Sequence, residues 1–225
     1  NQRVRLYGDD IAAVIAEDEV AAARAARLIK VEYKEYTPIV TVEAAMAEDA
    51  TPLHPDLRKD NVIVHSHMTM GDRDFTYEDG LAKARSGYGP EEIISLEKEY
   101  DTPRISHCHI ELPVSWAYVD TNGKITVVSS TQIPHIVRRC TAQALGVPIG
   151  RVRIIKPYIG GGFGNKQEVL YEPLNAWLTT QVGGRCVRLD VSREETFQNT
   201  RSRHPISFDV AAAVDGDMRL MARSC

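Results

Sequence analysis

Apolar and polar positions along this chain follow two periods, and the switches between them mark out its elements. Residues 4–7 and 11–16 are short apolar runs around Gly8-Asp9-Asp10, a pattern that predicts two strands joined by a turn. Residues 19–30 are alanine-rich, with Val20, Ala23 and Leu28 at helical spacing. Acids open that stretch (Glu17, Asp18, Glu19) and bases close it (Arg24, Arg27, Lys30), the order that a helix dipole favours. Residues 31–36 then alternate apolar and charged side chains as a half-buried strand does, and Thr41 is placed to cap a second short helix.

Pro52 and Pro55 precede a mixed polar stretch, and residues 56–75 read as a linker. Beyond it, 78–85 has a helical pattern ended by the turn-rich Ser86-Gly87-Tyr88-Gly89-Pro90. Strands are predicted at 93–100, 114–120 and 124–129, the last two joined through Asn122-Gly123. Pro134 and Gly146 bracket an amphipathic helix over 134–145. A strand at 152–158, a glycine loop, a helix at 166–182 and a strand at 186–191 follow, and 206–214 with 218–223 reads as a hairpin around Asp215-Gly216-Asp217. The expected fold class is mixed α/β (α+β).

The 225 residues are 43% hydrophobic and 26% charged, ordinary globular values that exclude disordered and collagen-like classes. A net charge of −4 offers no general attraction to nucleic acid or anionic lipid, and no apolar run is long enough to span a membrane. The four cysteines, Cys108, Cys140, Cys186 and Cys225, form no CxxC pair and read as reduced thiols, which places the expectation in the cytoplasm.

The stretch richest in chemistry is Gly160-Gly161-Gly162-Phe163-Gly164-Asn165-Lys166. Consecutive glycines at a strand-to-helix junction allow a sharp turn and a close approach of backbone to a ligand; they also serve simple tight turns. A P-loop reading fails, because Asn165 stands where its second glycine belongs and Gln167 follows the lysine. A dinucleotide fingerprint fails at Asn165 too, yet Asp190 ends the next strand as a ribose-binding acid would, so a nucleotide-dependent oxidoreductase built on 160–190 stays open. A non-catalytic α/β binding or assembly module, with a purely structural glycine loop, is the other alternative.

GGGFGNK, with Ser129-Ser130-Thr131-Gln132 upstream and a helix ending in Gly146-Val147-Pro148 between, resembles the molybdenum-binding subunit of the xanthine dehydrogenase/aldehyde oxidase family. Residues 107–113 are similar to that family's His-x-x-x-Glu-Pro segment, with Glu111 in the acidic place and Leu112 intervening before Pro113. Residues 8–36 resemble the later half of its small hammerhead domain. The resemblance implies three parts: 1–55 as the C-terminal half of an α/β hammerhead domain, 56–75 as the linker, and 76–225 as the N-terminal part of a molybdenum cofactor-binding domain.

It further implies oxidative hydroxylation of a purine or another N-heteroaromatic, with water as the oxygen source. The cofactor would be molybdenum–molybdopterin, in its plain or cytosine dinucleotide form. Electrons would pass to iron–sulfur clusters and FAD on partner subunits of an oligomeric assembly, since four scattered cysteines cannot hold a cluster. Gln132, Gly162, Phe163 and Gly164 match the cofactor-binding positions, with Gln132 and Phe163 beside the metal's oxygen ligands and not ligands themselves. Gln167 stands where purine-oxidising relatives carry a substrate-binding glutamate, and its lack of charge leaves the substrate open. No catalytic base falls within the chain, so the 225 residues alone are expected to be inactive.

Two further clusters invite a site. His65/His67 and His107/His109 are spaced to share a strand face and could together form a zinc or iron centre; exposed strand histidines are the plainer reading. Arg201, Arg203 and His204 form a basic run able to meet a phosphate, or simply a solvated edge.

Overall fold

A computed structural model describes residues 3–68, 70, 76–87 and 93–225. Its helices are α1 (Glu19–Leu28), α2 (Val42–Met46), α3 (Tyr77–Gly87), α4 (Pro134–Leu145), α5 (Glu172–Gln181) and α6 (Arg193–Asn199). Its strands are β1 (Ile94–Thr102), β2 (Val114–Val119), β3 (Ile125–Ser129), β4 (Val152–Ile155), β5 (Val187–Asp190), β6 (Ile206–Val214) and β7 (Leu220–Ser224). Two compact units interleave along the chain, one from 1–34 with 105–203, the other from 35–104 with 204–225.

The first unit carries a four-stranded sheet in the order β4-β3-β2-β5. β2 and β3 pair antiparallel, and the Asp120 carboxylate accepts the N–H groups of Asn122 and Lys124 at 2.9 Å each to close their turn. β3 and β4 pair in parallel through the α4 crossover. Pro134 opens α4, and Gly146, left-handed at φ 65, closes it. α4 and α5 pack on each other and on the sheet, burying Ala117, Val127 and Ala176 completely. A core of this size draws about 1.5–3 kcal/mol from each large aliphatic side chain it removes from water.

The second unit is a three-stranded antiparallel sheet in the order β1-β6-β7, with α3 against β7. The Asp215 carboxylate accepts the N–H groups of Asp217 and Arg219 at 2.9 Å each, which sets the β6–β7 turn. Asn61 holds its coil together by accepting the Leu53 N–H (2.8 Å) and donating to the Ala45 carbonyl (2.9 Å).

Several expectations need correction. Residues 4–7, 11–16 and 31–36 join no ladder among the described residues, because alternation favours a strand only where a partner strand takes its N–H and C=O groups. The helix expected over 166–182 starts at Glu172, where Pro173 fixes its first turn; Asn165–Gln167 is a single 3₁₀ turn and Glu168 is already extended. α6 was not anticipated, although Ser192 and Glu195 form a full capping box. The turn expected at 88–90 and linker residues 69 and 71–75 lie outside the described residues.

Candidate functional site

β3 and β4 run in parallel side by side, so the loops leaving their carboxyl ends emerge at one edge of the sheet, where open α/β sheets receive ligands. The loop after β3 carries Gln132; the loop after β4 carries the glycines. Ser130 fixes the first loop by exchanging bonds with Val114, donating its N–H to the carbonyl (3.1 Å) and accepting the Val114 N–H on its hydroxyl (3.2 Å). The Thr131 hydroxyl accepts the Ile133 N–H, and the Gln132 N–H donates to the Lys166 carbonyl at 2.8 Å.

Gln132 therefore meets the glycine loop directly. Its amide oxygen accepts the Gly164 N–H at 3.3 Å, and a Cβ on Gly162 would lie 2.3 Å from that same oxygen. Gly161 and Gly164 take φ values of 91 and 94, and Phe163 takes φ 50, a left-handed conformation uncommon outside glycine. The Phe163 ring folds back over Gly161 and stays 72% exposed. Gly160 donates to Glu111, and the N–H groups of residues 161–163 donate to no protein acceptor among the described residues. The Gln132 amide nitrogen is without one as well. Gln167 is exposed on the 3₁₀ turn, close in sequence to the loop but not bonded to Gln132.

Glu111 and Lys166, read separately from the sequence, are joined by the structure in a charged support for this loop. The Lys166 ammonium is buried, 1% exposed, and pairs with Glu111 Oε2 at 2.5 Å. That oxygen also accepts the Gly160 N–H at 3.0 Å. Burial by itself raises the Glu111 carboxyl, but the Lys166 hydrogen bond, the Gly160 N–H and the lysine charge together hold it below the ordinary value of 4.5. A lowered carboxyl contributes stability that is present above the unfolded value and lost as pH falls through the folded one. Glu111→Gln should accordingly remove part of the acid-side loss of melting temperature; identical pH slopes for the two proteins would refute the pairing.

His109, buried beside Gly161, bonds through Nδ1–H to the Glu111 carbonyl at 2.6 Å. Burial, with the charges of Lys166 and Arg193, lowers its pKa, so the ring is neutral and its buried Nε2 has no partner. The histidines form no shared strand face, because Cys108 at φ 48 breaks the extended backbone between His107 and His109. Among the described residues no group of three or more His, Cys, Asp or Glu is placed to hold a metal ion. In the basic run the Arg201 guanidinium is taken by Glu168 at 2.5 Å, while Arg203 exchanges main-chain bonds with Ile105. The nucleotide arrangement also differs in form, since only a single 3₁₀ turn follows the glycine loop, α5 starts at Glu172, and Asp190 pairs with Arg188 at 2.6 Å.

Residues 53–225 match the molybdopterin cofactor-binding domain, and 1–37 match the aldehyde oxidase and xanthine dehydrogenase a/b hammerhead domain. The chain is 43% identical over 223 residues to the xanthine dehydrogenase molybdenum-binding subunit of Escherichia coli O157:H7, covering 99% of this chain and 28% of that one. It is 34% identical to the nicotinate dehydrogenase large molybdopterin subunit of Eubacterium barkeri, covering 99% of this chain and 48% of that one. The aldehyde oxidoreductase structure from Desulfovibrio gigas superimposes with a TM-score of 0.78 at 27% identity, over 91% of this chain and 21% of that one. This chain thus spans less than half the length of each of these proteins. With the glycine loop and Gln132 joined in one site, and with the cofactor-binding model matched over 53–225, the chain belongs to the xanthine dehydrogenase/aldehyde oxidase family, as part of its molybdenum-binding large subunit.

Proposed function

We propose that this chain supplies one wall of a molybdenum–molybdopterin site in an enzyme that oxidatively hydroxylates a purine or another N-heteroaromatic, using water as the oxygen source. The observation that carries the reading is the joining of Gln132 to the glycine loop, with donors of both left without a protein acceptor among the described residues. The residues fit such a group: three successive N–H groups at 161–163 and the Gln132 amide nitrogen have no protein acceptor among the described residues. Gly162, with no Cβ, lets the Gln132 amide lie against the loop: a Cβ there would sit 2.3 Å from its oxygen. When bound, the cofactor supplies the two-electron redox step and the metal centre for oxygen transfer.

The chain's own residues bind and orient. Gln132 and the Phe163 N–H donate to electron-rich oxygen atoms without adding charge, and Gly162 and Gly164 let the backbone come close. Gln167, exposed at the loop's end, can both donate to and accept from a ring nitrogen of a substrate. Xanthine and nicotinate, in the names of two relatives, are both nitrogen heteroaromatics. In this reading residues 1–55, 56–75 and 76–225 serve as hammerhead portion, linker and cofactor-binding portion; the family matches cover 1–37 and 53–225, the second taking in the linker. Iron–sulfur and FAD subunits complete the electron path in an oligomeric, cytoplasmic assembly. The four cysteines are free, and among the described residues no helix is long and apolar enough to cross a membrane.

The test is the full-length protein from its native host. It is expected to hold about one molybdenum per chain, to release a fluorescent oxidised pterin, and to turn over xanthine or nicotinate. Protein with intact iron–sulfur clusters but neither molybdenum nor pterin refutes the reading. The 225-residue chain by itself is expected to retain no stoichiometric molybdenum.

A further inference from the structure

We propose that Lys166 and Glu111 are positioning residues whose ion pair sets the shape of the glycine loop and, through it, the seat of Gln132. This rests on the cofactor reading above for its consequence, but on contacts alone for its geometry.

The contacts close a ring. Glu111 and Gly160 bond twice, the Glu111 N–H to the Gly160 carbonyl at 3.2 Å and the Gly160 N–H to the Glu111 carboxylate at 3.0 Å. The same carboxylate oxygen accepts from the Lys166 ammonium at 2.5 Å. The Lys166 carbonyl in turn accepts the Gln132 N–H at 2.8 Å, and the Gln132 amide oxygen accepts the Gly164 N–H at 3.3 Å. One residue, Lys166, therefore ties both ends of the 160–164 loop: its side chain reaches the entry and its main chain holds the glutamine bonded to the exit.

Such a tie answers a specific need. Glycine-rich backbone has little conformational preference of its own, and Phe163 at φ 50 persists only where its surroundings over-determine it. An ammonium that is 1% exposed is costly unless paired, and a turn on an exposed loop does not by itself call for one. A buried ammonium on a carboxylate that is itself 31% exposed, by contrast, is held by directed hydrogen bonds, whereas apolar packing tolerates several geometries. The buried, neutral His109 ring backs the same loop, its Cβ 3.3 Å from where a Gly161 Cβ would sit. The stems of Gly160 and Glu111 leave no slack either: a Cβ on Gly160 would lie 2.7 Å from Glu111 Cβ.

The experiment uses full-length protein carrying Glu111→Gln, Lys166→Met or, as control, Glu17→Gln, which breaks the exposed Glu17–Arg185 pair. Glu111→Gln keeps an acceptor for Gly160 and removes only the charge. It is expected to speed amide exchange over 160–165 about tenfold. It should also change the spectrum of bound molybdenum and lower kcat about tenfold, with KM held within about twofold. Lys166→Met should do the same; where it does not fold, Glu111→Gln decides. Glu17→Gln should leave every readout at the wild-type level. Wild-type exchange over 160–165 in Glu111→Gln overturns the proposal. If wild-type protein holds no molybdenum, the cofactor reading fails, while the exchange measurement still decides whether the pair holds the loop.

Discussion

Gly162→Ala is expected to cut turnover of the full-length enzyme about a hundredfold, while its melting temperature falls by only a few degrees. The two effects part because of what the new methyl group meets. A Cβ at residue 162 would sit 2.3 Å from the Gln132 amide oxygen, 2.6 Å from its Cδ and 3.1 Å from its Cγ. These are the outer atoms of a flexible side chain, so the clash can be relieved by swinging the amide aside at small cost in stability. Swinging it aside breaks the bond to Gly164 and removes one donor from the cofactor's edge. A hundredfold loss is about 2.7 kcal/mol, within reach of one misplaced hydrogen bond in an active site. Because the damage runs through Gln132, a Gln132→Ala background should absorb it: adding Gly162→Ala there should change kcat by less than about twofold. Fully additive losses in the double variant would mean that the methyl group acts elsewhere.

Gly184→Ala is the largest expected loss of stability, about 2–5 kcal/mol, read as a lower urea midpoint of the chain. Gly184 adopts φ 84 just past α5, donating to the Thr179 carbonyl (2.9 Å) and accepting the Val119 N–H (3.0 Å). An alanine there has a left-handed backbone, worth about 1–2 kcal/mol against an L residue. Its Cβ would also lie 2.9 Å from Val119 Cβ, an atom fixed to the β2 backbone and unable to retreat. The neighbouring Gly183 provides the comparison. It has φ 69 but open space around its would-be Cβ, so Gly183→Ala carries only the backbone cost of about 1–2 kcal/mol. Equal losses at the two positions would refute the steric account.

Both positions show how unevenly a chain of this kind can be read from its letters. The β2–β3 hairpin and α4 were legible because Asn122-Gly123, Pro134 and Gly146 act on their immediate neighbours, and local signals suffice for local structure. The early strands were not, since a strand pattern states a preference that only a partner can satisfy. The helix after the glycine loop was placed too early because Lys166, Gln167 and Glu168 are good helix formers, while the tether of Lys166 to Glu111 overrides that preference. In the site, Gln132 and residues 162–164 stood out through resemblance to a family. Glu111 stood out through the same resemblance, but its pairing with Lys166 did not, because the two are 55 residues apart and no spacing rule links them. Weighing the histidine centre and the nucleotide loop likewise needed coordinates: φ at Cys108 and the true start of α5.

The Gly164 N–H does more than anchor Gln132. A carboxamide has two unlike ends, and by taking the oxygen end Gly164 leaves the nitrogen as the end still free to bond. Together with the N–H groups of 161–163, that nitrogen makes a set of donors without a protein acceptor among the described residues. Such a set sorts whatever approaches by its lone pairs: an oxygen or nitrogen with one to offer is welcomed, while a group that can only donate is turned away.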